Sequence, residues 1–181
     1  MLKTTFLNNV LNQYKIKPYL VLLFLIIFSS TTFSETKLVI LGSGTPNPDP
    51  NRFGSGYAII VNEKAYIVDF GPGIVRRISA MSPSWGGEFS AMELENINIA
   101  FLTHIHSDHS GALADLILTP WVMGRDEPLK LFGPQGLKKM AKKITEAYED
   151  DINYRLYGSQ PANKLGYLTN VSEIFDDGLI Y

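Results

Sequence analysis

The chain has no cysteine, so disulfides, thiolate metal sites and cysteine nucleophiles are excluded together. Any reactive chemistry then falls to oxygen and imidazole groups. Histidine is scarce as well, with three copies in 181 residues. No apolar run is long enough to cross a bilayer, because the longest, Tyr19 to Phe28, has ten residues and a spanning helix needs roughly 20. There is no basic excess either: 16 basic residues face 18 acidic ones. Internal repeats and low-complexity tracts are missing. What is present, 45% hydrophobic and 19% charged residues, is the composition of a packed domain and excludes disorder as the default.

The first 34 residues stand apart. Lys3, Lys15 and Lys17, with no acidic residue, precede the apolar run, which has the length of a secretory signal's hydrophobic region. Thr32 and Ser34 place small residues at −3 and −1 of a cut before Glu35. Residues 1–34 are therefore read as a signal peptide and 35–181 as the domain, exported to a periplasm or outside the cell and holding no stable membrane association after cleavage. Removing three lysines from 16 leaves 13 basic against 18 acidic residues, a net charge of −5. Nucleic-acid binding usually shows as a basic face or stripe. The one candidate, Lys138, Lys139, Lys142 and Lys143, reads as the solvated side of a helix whose other side is Leu137, Met140, Ala141, Ile144 and Tyr148.

All three histidines and one carboxylate fall within six residues of the segment Thr103-His104-Ile105-His106-Ser107-Asp108-His109, directly after an apolar β-rich run. Imidazole nitrogens and carboxylate oxygens are donors that divalent zinc, iron and manganese accept. Alternate residues of an extended segment point the same way, so His104 and His106 can share one ion. Asp108 and His109 follow where the chain turns, in reach of a second ion about 3.5–4 Å from the first, the usual separation in two-metal hydrolases.

Around this loop the pattern alternates between strands and helices. Lys37 to Leu41, Gly56 to Val61 and Ala65 to Phe70 read as strands, the last two joined by a turn at Asn62-Glu63. Ile74, Val75 and Ile78 start a short amphipathic helix. Ser82 to Glu95 reads as a surface connection and Ile97 to Leu102 as the strand that delivers the histidine loop. Ser110 is expected to cap a helix through Leu113, Leu116 and Ile117. Leu129 to Phe132 reads as a strand, Pro134 as the first position of the next helix, and a further strand begins after Gly166. Strands joined through helices, with a reactive loop at a strand's carboxyl end, predict an α/β layered fold.

The His-x-His-x-Asp-His loop resembles the signature of the metallo-β-lactamase fold hydrolases, within them the branch of ribonuclease Z-like and arylsulfatase-like proteins. Leu41-Gly42-Ser43-Gly44-Thr45-Pro46, Val68-Asp69-Phe70-Gly71-Pro72-Gly73 and Leu131-Phe132-Gly133-Pro134-Gln135-Gly136 resemble three further turns of that family, in order. The resemblance implies a four-layer αβ/βα sandwich and two zinc ions, with iron or manganese also compatible. His104 and His106 would bind the first ion and Asp108 and His109 the second. Asp108 would also orient the attacking hydroxide, which makes it the implied catalytic residue. Asp69 would brace the loop from behind, or alternatively cap its own turn. Gly42, Gly44, Gly71 and Gly73 are expected to form turns.

In the family a third histidine, a bridging aspartate and a last histidine come from the second half. Here no histidine follows His109, and Asp150, Asp151, Asp176 and Asp177 lack the family context of a bridge. The chain is thus read as the amino-terminal half of a longer hydrolase, inactive by itself. A non-catalytic metal-binding half-domain, or two chains completing one site, are the alternatives. Half of the sandwich leaves one sheet face or edge without its partner. The expected reaction is hydrolysis of an ester-type bond (phosphodiester, sulfate ester or lactone). A small-molecule ester suits an exported acidic protein, with 3′-tRNA processing as the alternative and nucleic acid the less favoured partner. Oligomeric state has no signal in the sequence.

Fusing residues 1–34 to a periplasmic reporter enzyme is expected to export it, and mass spectrometry of the exported full chain is expected to find a new amino terminus at Glu35. A reporter that stays cytoplasmic and uncut contradicts the signal-peptide reading.

Overall fold

A computed structural model describes residues 35–159 and 161–175. The proposed signal segment, Asp176 and Asp177 lie outside the described residues. Strands β1 (Thr36–Gly42), β2 (Gly56–Val61) and β3 (Lys64–Val68) form an antiparallel meander. The β2–β3 turn puts Asn62 and Glu63 at φ 49° and 59°, the left-handed pair that matches the twist of a two-residue hairpin. Helix α1 (Ile74–Ala80) leads through three short 3₁₀ turns to β4 (Ile99–Phe101). Then come α2 (Ser107–Ser110), α3 (Leu113–Val122), β5 (Leu129–Pro134), α4 (Leu137–Ala147), α5 (Glu149–Tyr157) and β6 (Thr169–Ile174). The described strands make one sheet in sequence order, and β3 to β6 run parallel. This is the mixed α/β fold expected. No described helix is long and apolar enough to cross a membrane.

The two faces of the sheet differ. Ala58, Ile60, Ala65, Ile67, Ala100, Leu129 and Leu131 are buried and form one core with Ile74, Ile78, Leu113, Leu116, Ile117 and Trp121 of α1 and α3. On the opposite face the register sets Ile40, Tyr57, Val68, Phe101 and Phe132 side by side across five strands. The rings of Phe101 and Phe132 stack with centroids 5.1 Å apart. Among the described residues no element covers this row, and Leu38 and Ile40 are 67% and 63% exposed.

Three local expectations are corrected. Ser110 does not cap the following helix: it closes α2, and its hydroxyl donates back to the carbonyls of Ile105 and His106. Pro134 ends β5 rather than opening α4, which is capped by Gly136 at φ 100°. Ser82 to Glu95 is more than a surface connection, because Ala91, Met92 and Leu94 enter the core.

A buried cation joins the carboxyl side of the domain to the centre. Pro120 inside α3 has no N–H to give to the Leu116 carbonyl. Arg125, with no exposed surface, donates to the carbonyls of Leu116, Ile117, Ile97 and Gly166 at 2.6–3.2 Å. Burial lowers its pKa to about 10, which still leaves it charged at neutral pH. Asn163 accepts from Gly166 N–H and donates to the Arg125 carbonyl, so the loop before β6 is tied to the same cation.

Arg125→Met leaves four carbonyls without this donor, and at about 1–3 kcal/mol for each buried acceptor left unpaired the loss exceeds about 3 kcal/mol. A urea melt followed by circular dichroism measures it; an unchanged midpoint contradicts the role given to Arg125.

Candidate metal centre

The histidine loop leaves the carboxyl end of β4 and is held from behind by a carboxylate. Asp69 follows β3 and is 2% exposed, with its backbone at φ 59°, a left-handed conformation that aspartate tolerates better than most residues. Its N–H donates to the Phe101 carbonyl at 2.8 Å, which aims its side chain at the neighbouring strand end. There Oδ1 accepts from Thr103 N–H at 2.8 Å and from the Thr103 hydroxyl at 2.9 Å. Oδ2 accepts from His109 Nδ1 at 2.7 Å. Asp69 therefore braces the loop, and the alternative, a cap on its own turn, is set aside.

Donor accounting then fixes the rings. His109 gives its Nδ1 hydrogen to Asp69, so the neutral ring leaves Nε2 bare. The Thr103 hydroxyl spends its one hydrogen on Asp69, so at 3.0 Å it accepts from His104 Nδ1, which bares His104 Nε2 as well. His104 stands 4.0 Å from His109 and 4.7 Å from His106 between ring centroids, which places the three rings together. His106 caps α2, and its carbonyl accepts from the N–H groups of His109 and Ser110.

Asp108 is 9% exposed, and its Oδ1 has no hydrogen-bond partner among the described residues. Its Oδ2 lies 3.4 Å from the bare Nε2 of His109. That contact, beside an orphaned carboxylate oxygen, is compatible with a proton on the ring or with a metal cation between or beside the two atoms. The donor set therefore fits a divalent metal. Among the described residues, however, no group of three or more histidine or acidic side chains converges to hold an ion. Asp150 and Asp151 lie on α5, where Asp151 pairs with Arg155, and do not approach the loop. A surface concavity of about 180 Å³, lined by Val75, Arg76, Trp85, Asp115, Met123 and others, shares no residue with the loop.

The glycines serve mainly close approach, which corrects the turn-forming role expected of them. Of Gly42, Gly44, Gly71 and Gly73, only Gly73, at φ 85°, needs the left-handed region. A Cβ on Gly71 would overlap the Asp108 carbonyl, and one on Gly42 the Gly54 carbonyl. That proximity lets Ser55 N–H donate to the Asp108 carbonyl at 2.9 Å and Phe70 N–H to the His109 carbonyl at 2.7 Å. Sequence reasoning missed Thr103 as a partner of His104 and Asp69, although its place one residue before His104 was visible.

Asp69→Ala is expected to weaken zinc binding by roughly 10–100-fold, the usual cost of losing a carboxylate behind a metal-ligating histidine. Calorimetric titration reads it; zinc affinity equal to wild type contradicts the bracing role.

Comparison with known proteins places this geometry. Residues 49–145 match the model of the Metallo-beta-lactamase superfamily. Ribonuclease Z of Mycobacterium bovis strain BCG is 32% identical over 123 residues, covering 66% of this chain and 41% of that protein. Ribonuclease Z of Mycolicibacterium paratuberculosis is 33% identical with the same coverage. The short form of human tRNase Z superposes with a TM-score of 0.57 at 21% identity, over 77% of this chain and 44% of that one. A metallo-beta-lactamase fold protein from Bacillus subtilis gives 0.54 at 18%, over 81% and 49%. The chain spans about two fifths of the length of the curated relatives it matches. With the family model covering more than half of its residues and a ribonuclease Z-like sequence around the loop, the chain belongs to the metallo-β-lactamase superfamily.

Proposed function

We propose that this chain carries the metal loop of a phosphodiester hydrolase acting on RNA, in the manner of a ribonuclease Z. The observation that supports it best is the Asp69-braced loop, with Nε2 bare on His104 and His109 and Asp108 Oδ1 without a partner. The relatives named ribonuclease Z favour RNA over the small-molecule ester expected from charge and export, and they lend nothing to an arylsulfatase.

In this proposal His104 and His106 hold one ion and Asp108 and His109 the other, with zinc the first choice and iron or manganese compatible. When bound, the metal would lower the pKa of a water towards about 7 and so supply hydroxide at neutral pH. The chain's own residues do the positioning. Asp69 fixes the tautomers of His104 and His109 and keeps both rings from turning. Asp108, buried and with Oδ1 free, accepts a hydrogen bond from the attacking water and orients its lone pair. The Gly71 contact holds the Asp108 backbone in place while its side chain does this. A small-molecule ester remains the second reading, favoured by the net charge of −5 after residue 34.

Asp108→Asn is expected to lower zinc affinity by more than roughly 100-fold, beyond the cost of losing a supporting residue, and to abolish any cleavage of a 3′-extended tRNA that the wild type shows. Far-UV circular dichroism should stay unchanged. Cleavage that survives both this substitution and chelation by EDTA contradicts the proposal. Zinc binding without cleavage of RNA, but with cleavage of simple aryl esters, favours the second reading.

A further inference from the structure

We propose that Glu173, on β6, is a positioning residue for the histidine loop: through the turn that opens α4 it holds Ile105 in place, and with it the direction in which His104 and His106 face. This role presupposes the metal binding assigned to the loop above.

The amino end of α4 is a poor place to start a helix on its own sequence. Gly136 at the cap has no side chain to offer, the first turn contains no acidic residue, and Lys138 and Lys139 bring positive charge to the positive end of the helix dipole. Glu173 compensates for all three from outside the helix. Its Oε1 accepts from Gly136 N–H at 2.7 Å and from Lys138 N–H at 3.0 Å, two of the backbone donors that a helix start leaves without an internal partner. Bonds to a carboxylate are charge-assisted and strong. The register explains the reach, since Glu173 pairs with Gly133 at the beginning of the same turn.

That turn is also one flank of the histidine loop. β4 lies between β3 and β5, so the chain that leaves it has a neighbour on either side. On the β3 side Asp69 holds Thr103 and His109. On the β5 side the turn comes against the base of the loop with no side chain in between. A Cβ on Gly133 would stand 3.0 Å from both the Cβ and the carbonyl oxygen of Leu102, and one on Gly136 would stand 3.0 Å from Ile105 Cδ1.

Ile105 sits between the two histidines assigned to one ion, and its carbonyl accepts from the Ser110 hydroxyl at 3.2 Å. His106 is extended, at φ −62° and ψ 148°, and its ring stands 4.7 Å from that of His104. Neighbouring residues of an extended segment face opposite ways, so a stop placed behind Ile105 turns both rings away from α4. Asp69 sets which nitrogen of a ring is bare, whereas Glu173 acts on where the loop points. Each of these contacts is made within the described residues and needs no further segment.

Nitrogen–proton correlation NMR of the metal-free full chain, together with calorimetric zinc titration, tests this role. Glu173→Ala is expected to shift the His106 ring resonances, to leave the Nδ1 hydrogen of His109 in place on Asp69, and to weaken zinc binding about 10-fold, the low end for a residue behind metal ligands. Glu173→Gln keeps an acceptor oxygen for both N–H groups and is expected to restore most of that affinity. Ile105→Ala removes the contact but not the cap. Added to Glu173→Ala, it is expected to cost little more than either change alone, as for residues that act through one contact. Unmoved His106 resonances with unchanged zinc affinity in Glu173→Ala overturn the role, and so do losses that simply add in the double variant. If Glu173→Ala loses its far-UV helical signal, Ile105→Ala decides, and His106 resonances that stay put in it overturn the role. A wild type that binds no zinc overturns the metal-binding reading, whereas His106 resonances that still move in Glu173→Ala uphold the positioning.

Discussion

The carboxylate of Asp69 is the constraint on which the site depends. It is almost fully buried, sits in a left-handed backbone conformation, and has three hydrogen-bond donors from the histidine loop. A carboxylate removed from water is costly unless it is hydrogen-bonded, and here the bonds come from Thr103 and His109. The same bonds set the loop's path off β4 and the tautomers of two of its rings. Stability and chemistry are thus tied to one group, a common arrangement where backbone strain is kept at a functional site.

The elements that carry this group could be read from residue pattern. Apolar β-rich runs bounded by turn residues marked β1 to β3, Asn62-Glu63 marked their hairpin, and the spacing of the three histidines marked the loop. What could not be read depended on contacts between distant segments. Gly71 looks like a turn residue in sequence, yet its function is to let the Asp108 carbonyl come close, which only the packed loops reveal. Ser110 has the composition of a helix cap but finds the Ile105 and His106 carbonyls first, because α2 closes before α3 begins. Arg125 carries no signal in the sequence, and its burial is explained by the Pro120 gap in α3 and the Gly166 carbonyl.

The sheet links the site to the rest of the molecule. One face is packed by α1, α3 and α4 into a continuous core, whereas the other presents aliphatic and aromatic side chains in register up to the rim of the histidine loop. Among the described residues the apolar row and the histidine loop meet at that rim, so the packing of β4 and β5 bears directly on where the loop starts.

The central claim is that Asp69, directly and through Thr103, holds His104 and His109 with Nε2 bare for metal. Long-range nitrogen–proton correlation NMR of the histidine rings tests it most directly. The account predicts that in the metal-free protein both rings carry hydrogen on Nδ1, and that zinc shifts their Nε2 resonances while the Nδ1 hydrogens remain. Rings protonated on Nε2 with Nδ1 bare, and unmoved by zinc, would contradict it.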